Sequence, residues 1–354
     1  MSDQTDRMDQ TQGFDIGGAR VKVEDLTKLF PVAKGAFRKA TDFVHAVDGV
    51  SFEIAPGESL GLVGESGCGK TTAGRMLVKL AEATEGRIFL DADGTVMDIA
   101  DLPKEYVKEF RSDVQMIFQD PYESMNPRRT VFDTVAEPLK VQGLGRVHER
   151  EERVADLLKL VGLTPPESFM LRFPHELSGG QRQRVAIARA LVLDPDFVVA
   201  DEPTSMLDVS IRISIMDLML KLAERLNVSY LNITHDLAVA RNMCSRIALM
   251  YLGKIVELAE TEELLANPMH PYTKALLSAV PVPDPTYERP EVRIKGGITK
   301  SINPKPECRF RPRCPIAQEG VCDVQDHPML EEKRPGHFVS CYLVDREFEV
   351  VGQE

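Results

Sequence analysis

Residues 64–71 read Gly64-Glu65-Ser66-Gly67-Cys68-Gly69-Lys70-Thr71 and fit the pattern G-x-x-x-x-G-K-[ST]. The run that precedes them, Glu58 to Val63, predicts a short buried strand, and a helix is expected to open at Lys70. The glycines let backbone N–H groups of such a loop point at phosphate oxygens. We therefore expect a nucleoside triphosphate site in an α/β protein, with Lys70 at the β- and γ-phosphates and the Thr71 hydroxyl on Mg²⁺. A chance match in a Gly-rich turn is the alternative.

A pair of carboxylates follows a second apolar run. Phe197-Val198-Val199-Ala200 leads into Asp201 and Glu202. This pattern is typical of a buried parallel strand that delivers a carboxylate to the C-terminal edge of a sheet, where ligands bind. Asp201 is then expected to face the Mg²⁺, with Glu202 on the opposite face of the strand. Two surface acids at a strand end are the alternative.

A third segment, about twenty residues before the acidic pair, reads Leu177-Ser178-Gly179-Gly180-Gln181. Ser178 is a favourable N-cap for a helix that runs to Ala190. The unpaired N–H groups at the start of that helix would form an anion site. A capped amphipathic helix without such a role is the alternative.

The ordered set of three segments resembles the ATP-binding cassette family, from about Val21 to Ala266. The resemblance implies an ATPase that works as a face-to-face dimer. In the family, the turn at Ser178 binds the γ-phosphate held by the partner's 64–71 loop, so ATP joins two subunits and its hydrolysis releases them.

The resemblance also assigns roles to single residues. It implies that Glu202 orients or deprotonates the attacking water, that the switch histidine His235 contacts the γ-phosphate, and that Gln119 touches Mg²⁺ or water. Asp208 matches the aspartate that bridges the dimer, although Met206 stands where the family usually has alanine. Phe30 is expected to stack on adenine, with a buried aromatic at a strand end as the alternative.

The complete set of expected site residues follows from these assignments. For catalysis they are Glu202, His235 and Gln119; for Mg²⁺, Thr71, Gln119 and Asp201; and for ATP, Phe30, Gly64, Glu65, Ser66, Gly67, Cys68, Gly69, Lys70, Thr71, Thr72, Ser178, Gly179, Gly180, Gln181 and Asp208.

The predicted fold class is α/β, a P-loop NTPase cassette with a RecA-like, mainly parallel sheet core and an antiparallel β part. A helical subdomain is expected at about 133–193, where helical spacing of apolar residues ends at Gly162. The predicted division is a disordered leader at 1–18, the ATPase domain at 19–280, and a small irregular Cys-rich module at 281–354, which begins where prolines break the periodicity.

Composition excludes several classes. With 354 residues and 43% hydrophobic content the chain can bury a core and is long enough for about two domains. It holds no apolar run near the roughly twenty residues that a membrane helix needs. The first eighteen residues lack the apolar stretch of a signal peptide, so we expect a disordered leader. A net charge of −12 argues against nucleic acid as a main partner.

Three short sequence segments indicate a branch of the family: Gln119 to Arg128, Tyr251 to Glu257, and His270 to Leu277. They resemble the ATPase subunits of oligopeptide and dipeptide permeases. Relatives of that branch import nickel, glutathione and some oligosaccharides, which are the alternative cargoes.

The resemblance implies ATP and Mg²⁺ as cofactors and a peripheral location on the cytoplasmic face of the cell (inner) membrane. The implied partners are a second ATPase subunit, identical or related, two membrane permease subunits and an extracytoplasmic substrate-binding protein. A soluble cassette ATPase of translation or DNA repair is a different reading, as is a regulatory subunit without hydrolysis. Lys70, Glu202 and His235 are all intact, which counts against the regulatory subunit.

Four of the six cysteines lie in the C-terminal module, at Cys308, Cys314, Cys322 and Cys341. In a reduced compartment such clustering suggests a metal more than disulfides. The spacings match neither the C-x₂-C zinc pattern nor ferredoxin runs. Peptide-permease ATPase subunits carry a similar tail with an iron–sulfur cluster, so the resemblance implies [4Fe–4S]. Zinc, with His327 or His337 as substitute ligands, and no metal at all are the alternatives. Cys68 and Cys244 are expected to be packing residues.

Overall fold

The computed structural model describes residues 14–32, 41–92, 94–122, 124–279, 294–295, 297 and 301–344. Its strands are β1 Val21–Pro31, β2 Phe43–Ile54, β3 Ser59–Val63, β4 Glu85–Ala92, β5 Thr95–Asp98, β6 Val114–Ile117, β7 Phe197–Asp201, β8 Ser229–Thr234, β9 Arg246–Tyr251, β10 Lys254–Glu260, β11 Glu331–Arg334 and β12 His337–Val339. Its helices are α1 Lys70–Leu77, α2 Val107–Asp113, α3 Val131–Val135, α4 Glu137–Gln142, α5 Val147–Leu160, α6 Glu167–Met170, α7 Gly179–Leu191, α8 Val209–Leu226, α9 Leu237–Met243, α10 Thr261–Ala266 and α11 Pro271–Ala279.

The strands form two sheets. The larger sheet has the order β11-β12-β10-β9-β3-β8-β7-β6, and its β9-β3-β8-β7-β6 part is parallel throughout. The smaller sheet, β2-β1-β4-β5, is antiparallel. The predicted mainly parallel core with an antiparallel β part is therefore present.

The parallel strands are buried on both faces. In β3, Leu60 and Leu62 pack into the core shared with the small sheet and α1, whereas Val63 packs into the core on the opposite side, which includes α7 and α8. Alternate residues of a strand point to opposite faces, so two covered faces require the continuous apolar runs seen in the sequence. The arrangement leaves the C-terminal ends of β3, β7 and β8 side by side, next to the 64–71 loop.

The helical subdomain comprises α3 to α7 and contains no strand among its described residues. The helix α5 ends at Leu160, and Gly162 follows with a positive φ of 77°, as the predicted stop requires. Nearer the C-terminus, β9 and β10 form a hairpin that turns at Leu252-Gly253, and α11 begins at Pro271.

The predicted leader is too long at its C-terminal end. Residues 1–13 lie outside the described part of the chain, but Ile16 is only 5% exposed, and the ring of Phe14 lies 4.9 Å from that of Phe89 in β4. Two apolar residues in an otherwise polar stretch are enough to anchor the chain on the small sheet just before β1.

The described C-terminal residues are irregular between 301 and 330 and then add two strands to the large sheet. The strand β12 pairs with β10, and His337 Nε2 lies 2.7 Å from Glu257 Oε1, with both side chains fully buried. The sequence analysis predicted no strand here. All four residues of β11 are exposed and charged, so β11 lacks the alternation by which a strand is recognised.

Candidate nucleotide site

The 64–71 loop connects β3 to α1, as the pattern predicts. A Cβ atom at Gly64 would overlap the carbonyl oxygen of Met250, and one at Gly69 would overlap that of Ala46. Gly69 also has a φ of 114°, in the region that favours glycine. Glycine is therefore required at both positions. The tip of the loop, at Ser66 and Gly67, is exposed.

The lysine of the loop is held by the loop itself. Lys70 is buried, and its Nζ donates to the carbonyl oxygens of Gly64, at 2.7 Å, and Glu65, at 3.0 Å. These contacts aim a positive charge at the concave side of the loop. Thr72, the other threonine in the first turn of α1, is half-buried.

Two oxygen ligands suited to Mg²⁺ meet at the end of β7. Thr71 Oγ1 donates to Asp201 Oδ1 at 3.0 Å. Burial raises the pKa of Asp201, and the bond from Thr71 and the neighbouring Lys70 oppose that rise. A hydroxyl and a buried carboxylate at hydrogen-bond distance fit a small hard cation, whose charge would favour the ionised carboxylate.

The side chain of Glu202 is held at both carboxylate oxygens by two other expected site residues. His235 Nδ1 lies 2.9 Å from its Oε1, and Gln119 Nε2 donates to its Oε2 at 3.2 Å. The structure thus brings together the three residues expected to be catalytic. Gln119 Nε2 also lies 3.5 Å from Ser205 Oγ, so its amide points to Glu202 and Ser205 rather than to the expected magnesium ligand Asp201.

The backbone at Glu202 is unusual. Its φ is 44°, in the left-handed region that residues with a Cβ rarely adopt. Glu202 therefore does not continue β7 on its opposite face, as the sequence analysis expected, but lies one residue beyond the strand. Its N–H donates to the carbonyl of Ile233 at 2.9 Å, which holds the turn against β8.

The predicted N-cap at Ser178 is present. Ser178 Oγ accepts from the N–H of Gln181 at 3.3 Å, and Gln181 Oε1 accepts from the N–H of Ser178 at 3.0 Å. This is a reciprocal capping box at the start of α7. Ser178 is exposed, whereas Gly180 is buried against Ile211 of α8. A free helix start with an exposed cap suits an anion from outside the chain.

The segment after Gln119 is tied to α7 by two arginines. The Arg182 guanidinium lies 4.0 Å from the centre of the Tyr122 ring and donates to its hydroxyl at 3.0 Å. Arg189 donates to the carbonyl of Ser124. Burial lowers the pKa of Arg189. Movement of this segment is therefore mechanically linked to the helix that starts at Ser178.

Two further expected site residues, Phe30 and Asp208, lie on the surface, whereas Cys68 is only 4% exposed. Phe30 in β1 is 42% exposed, and Lys28 Nζ lies 5.3 Å from the centre of its ring. Asp208 and Met206 precede α8 and are exposed. An exposed aromatic on β1 excludes the alternative of a buried strand-end residue.

The sequence analysis missed the residues that support the loop from behind. The Arg313 guanidinium binds both carboxylate oxygens of Glu65, at 2.7 and 2.9 Å, and Glu65 N–H donates to the Tyr272 hydroxyl at 3.0 Å. One sequence signal could have indicated such support: Glu65 places a negative charge inside a loop that is expected to bind phosphate, and a nearby cation would be needed to neutralise that charge.

The four C-terminal cysteines lie in one neighbourhood, and none is in a disulfide. Burial raises the pKa of Cys308 to about 11 and that of Cys314 to about 12, and the nearby thiols add to both shifts. Among the described residues, however, no three His, Cys, Asp or Glu side chains are arranged to hold a metal ion.

The two histidines proposed as substitute zinc ligands are engaged elsewhere. His337 contacts Glu257, while His327 Nδ1 accepts from the N–H of Arg309 and its Nε2 lies 3.1 Å from Ser340 Oγ. Zinc ligation by either histidine would therefore require one of these contacts to break.

Comparison with known proteins identifies the cassette. A family model described as ABC transporter matches residues 47–205, which include the 64–71 loop, Ser178 and Asp201. The chain is 46% identical over 326 residues to the oligopeptide transport ATP-binding protein AppF of Bacillus subtilis, covering 91% of this chain and 97% of that protein. The chain belongs to the ATP-binding cassette (ABC) family. It is an ABC ATPase.

Other comparisons agree on this family. The ABC ATPase is 44% identical to a probable peptide ABC transporter ATP-binding protein of Sinorhizobium fredii, over 93% of this chain and 91% of that protein. A model described as oligopeptide/dipeptide transporter, C-terminal region, matches residues 256–322.

Solved structures show the same fold. The ATP-binding cassette MJ0796, in a dimeric post-hydrolysis state bound to ADP and phosphate, is 32% identical with a TM-score of 0.59 and covers 68% of this chain and 98% of that one. A cassette from the cbiONQ transporter complex of Clostridium perfringens is 27% identical with a TM-score of 0.59, over 71% and 92% of the two chains. In the described part of this ABC ATPase, every helix is too short or too polar to span a membrane.

Proposed function

We propose that this ABC ATPase powers an importer of peptides of the dipeptide and oligopeptide class. The observation that carries the proposal is the match of residues 256–322 to the C-terminal region of oligopeptide/dipeptide transporters. It is supported by the names of the curated relatives, which are peptide transport or peptide import ATP-binding proteins. Nickel, glutathione and oligosaccharides remain the alternative cargoes.

In the proposed mechanism, the N–H groups of residues 64–69 and Lys70 bind the ATP phosphates, while Phe30 stacks on adenine. Thr71 and Asp201 would hold Mg²⁺, and the ion would neutralise negative charge at the phosphoryl group. Glu202 accepts a proton from the attacking water, since its carboxylate is fixed by His235 and Gln119 and needs no reorientation.

A second copy or a related ATPase completes each site in this proposal. Ser178, Gly179, Gly180 and Gln181 bind the γ-phosphate held by the partner subunit, and Asp208 contacts the partner across the interface. The exposed capping box at Ser178 supports this arrangement, because its helix start is open to an anion from outside the chain.

The proposed assembly includes two membrane permeases and an extracytoplasmic substrate-binding protein, with the ATPase at the cytoplasmic face of the membrane. Residues 19–280 act as the ATPase domain in this scheme, with the helical subdomain at 133–193 facing the permeases and residues 281–354 as the C-terminal domain. The contact of Tyr122 with Arg182 of α7 supports this scheme, because it couples the segment after Gln119 to the helix that begins at the Ser178 turn.

We further propose a [4Fe–4S] cluster on Cys308, Cys314, Cys322 and Cys341. In support, each of the four thiols lies close enough to the other three to interact electrostatically. Buried thiols with raised pKa values ionise only beside a positive centre, and an iron cluster provides one. A cluster spreads its ligands further apart than a single ion does, which is compatible with the lack of a convergent single-ion site among the described residues.

Uptake by a deletion strain tests the cargo. Cells that lack this ABC ATPase should lose accumulation of a radiolabelled tripeptide, and the intact gene should restore it. A Lys70→Ala gene is the matched control and should fail to restore uptake, because the loop loses its phosphate-binding charge. Normal tripeptide uptake with a loss of ⁶³Ni²⁺ uptake in the deletion strain would overturn the peptide assignment.

A further inference from the structure

The loop between Cys308 and Cys314 contacts the nucleotide-binding loop directly. Arg313 Nη1 donates to Glu65 Oε2 at 2.7 Å, and Arg313 Nη2 donates to Glu65 Oε1 at 2.9 Å. The two residues are 248 positions apart in the chain. The Arg313 side chain is only 9% exposed, so this is a partly desolvated, two-pronged ion pair, the geometry in which such pairs are strongest.

Glu65 is the second residue of the 64–71 loop and is fixed at three points. Arg313 binds its carboxylate, the Tyr272 hydroxyl accepts from its N–H, and Lys70 Nζ donates to its carbonyl oxygen. The last contact reaches the phosphate-binding lysine itself. A shift of the Glu65 side chain therefore moves a backbone atom that orients Lys70.

The support behind Glu65 is a packed aromatic cluster. Phe310, 1% exposed, lies 5.1 Å from Tyr251 and 5.6 Å from Tyr272 between ring centres. Arg313 lies 5.7 Å from the centre of the Tyr251 ring. Arg313 and Tyr272 thus hold Glu65 from one rigid body, made from both the C-terminal loop and α11.

The charge of Glu65 makes this contact matter for ATP. A carboxylate on a loop that binds a triphosphate repels the ligand unless a cation neutralises it. Lys70 is directed to the loop carbonyls and the phosphates, so Arg313 is the cation bound to the Glu65 carboxylate. Removal of Arg313 alone leaves the partly buried negative charge of Glu65 without a partner. Such a change costs more free energy than the replacement of both partners by uncharged residues.

We propose that Arg313 is a positioning residue for ATP binding, which it supports by neutralising Glu65 and fixing the backbone that orients Lys70. The inference rests on the proposed nucleotide role of the 64–71 loop. It makes the C-terminal loop a part of the nucleotide site of the same chain, through Glu65, rather than a separate appendage.

A double-mutant cycle on the full-length protein tests the proposal. Binding of a fluorescent ATP analogue and steady-state hydrolysis are measured for Arg313→Met, Glu65→Gln and the double variant. Arg313→Met should weaken binding roughly tenfold and raise KM more than it lowers kcat, because it leaves a charge facing the phosphates. In the Glu65→Gln background the same change should cost at most about threefold, since no charge remains to repel ATP.

The matched control is Arg311→Met. Arg311 lies in the same loop but pairs with Glu307 at 2.9 Å, away from residues 64–71, so its loss should leave ATP binding unchanged. Equal losses in Arg311→Met and Arg313→Met would reduce the effect to general disruption of the loop and overturn the proposal. An unchanged affinity in Arg313→Met, or an undiminished loss in the Glu65→Gln background, would also overturn it.

Two further variants keep the test decisive. Arg313→Lys retains the charge but not the two-pronged geometry and should show an intermediate loss that disappears in the Glu65→Gln background; it closes the cycle if Arg313→Met does not fold. Lys70→Ala should abolish binding outright. Normal binding by Lys70→Ala would refute the nucleotide role of the loop itself, an outcome distinct from failure of the Arg313 cycle.

Discussion

Replacement of Glu202 by Gln tests the proposed chemistry most directly. In the native protein, the Glu202 carboxylate lies 3.2 Å from Gln119 Nε2 and 2.9 Å from His235 Nδ1. The amide has nearly the same shape as the carboxylate, so it can still accept a hydrogen bond from Gln119 or contact His235. The φ of 44° at residue 202 is unaffected by the change, since Gln and Glu have the same backbone requirements. Stability should therefore change little, while the ability to accept a proton is lost.

The expected magnitude follows from that loss. A positioned general base contributes about 10²- to 10⁴-fold to a rate, so kcat for ATP hydrolysis should fall at least a hundredfold, equivalent to about 2.7 kcal/mol in the barrier. ATP binding should persist, and an ATP-bound dimer should accumulate because hydrolysis no longer dissolves it. Phosphate release and size-exclusion chromatography with ATP measure the two effects.

The control is Glu262→Gln, an equally conservative change at an exposed carboxylate that pairs with Arg241 on the surface. It should leave turnover unchanged. A kcat for Glu202→Gln within a few-fold of the native value would refute the argument that the His235–Glu202–Gln119 arrangement serves proton transfer.

Three more predictions concern other parts of the molecule. Ser178→Arg places a bulky charged side chain at the exposed start of α7; each subunit should still bind ATP, but ATP-driven dimerisation and hydrolysis should fail, and hydrolysis in an all-mutant dimer would contradict the shared site. Anaerobically purified protein should be brown, and Cys314→Ser should bleach it whereas Cys244→Ser should not; colourless native protein without iron would contradict the cluster. Burial lowers the pKa of His270 to about 4. Between pH 6.5 and pH 4 the unfolded chain therefore binds a proton at this residue and the folded chain does not. The free energy of unfolding should fall as the pH drops through this range, by about 2 kcal/mol at pH 5. His270→Asn should therefore lose less melting temperature between pH 7.5 and pH 5.0 than the native protein, and equal losses would rule out His270 as the cause.

The features that could be predicted from the sequence are those whose cause is local. Lys70 and Ser178 lie at helix starts defined by their immediate neighbours, and the strand before Asp201 is a continuous apolar run. Because a loop, a cap or a buried strand is specified within ten residues or so, their placement needed no knowledge of the rest of the fold.

The features that escaped prediction depend on distant partners. The left-handed turn at Glu202 is held by Ile233 on the next strand, and the Glu65–Arg313 pair joins opposite ends of the chain. Neither has a periodic or spacing signal. The strand β11 escaped for a related reason: at the edge of a sheet, pairing with β12 is enough to form a strand, and its side chains can remain charged and exposed.

The pairing of β12 with β10 can form only late in synthesis of the chain. His337 lies 80 residues after Glu257, so β10 emerges from the ribosome well before the strand that covers it. Until residues 337–339 have been synthesised, the nascent chain presents an unpaired strand edge on β10 and a Glu257 carboxylate without its histidine partner. A chain that stops after the ATPase motifs would therefore leave the edge of β10 unpaired and open to pairing with a strand of another molecule.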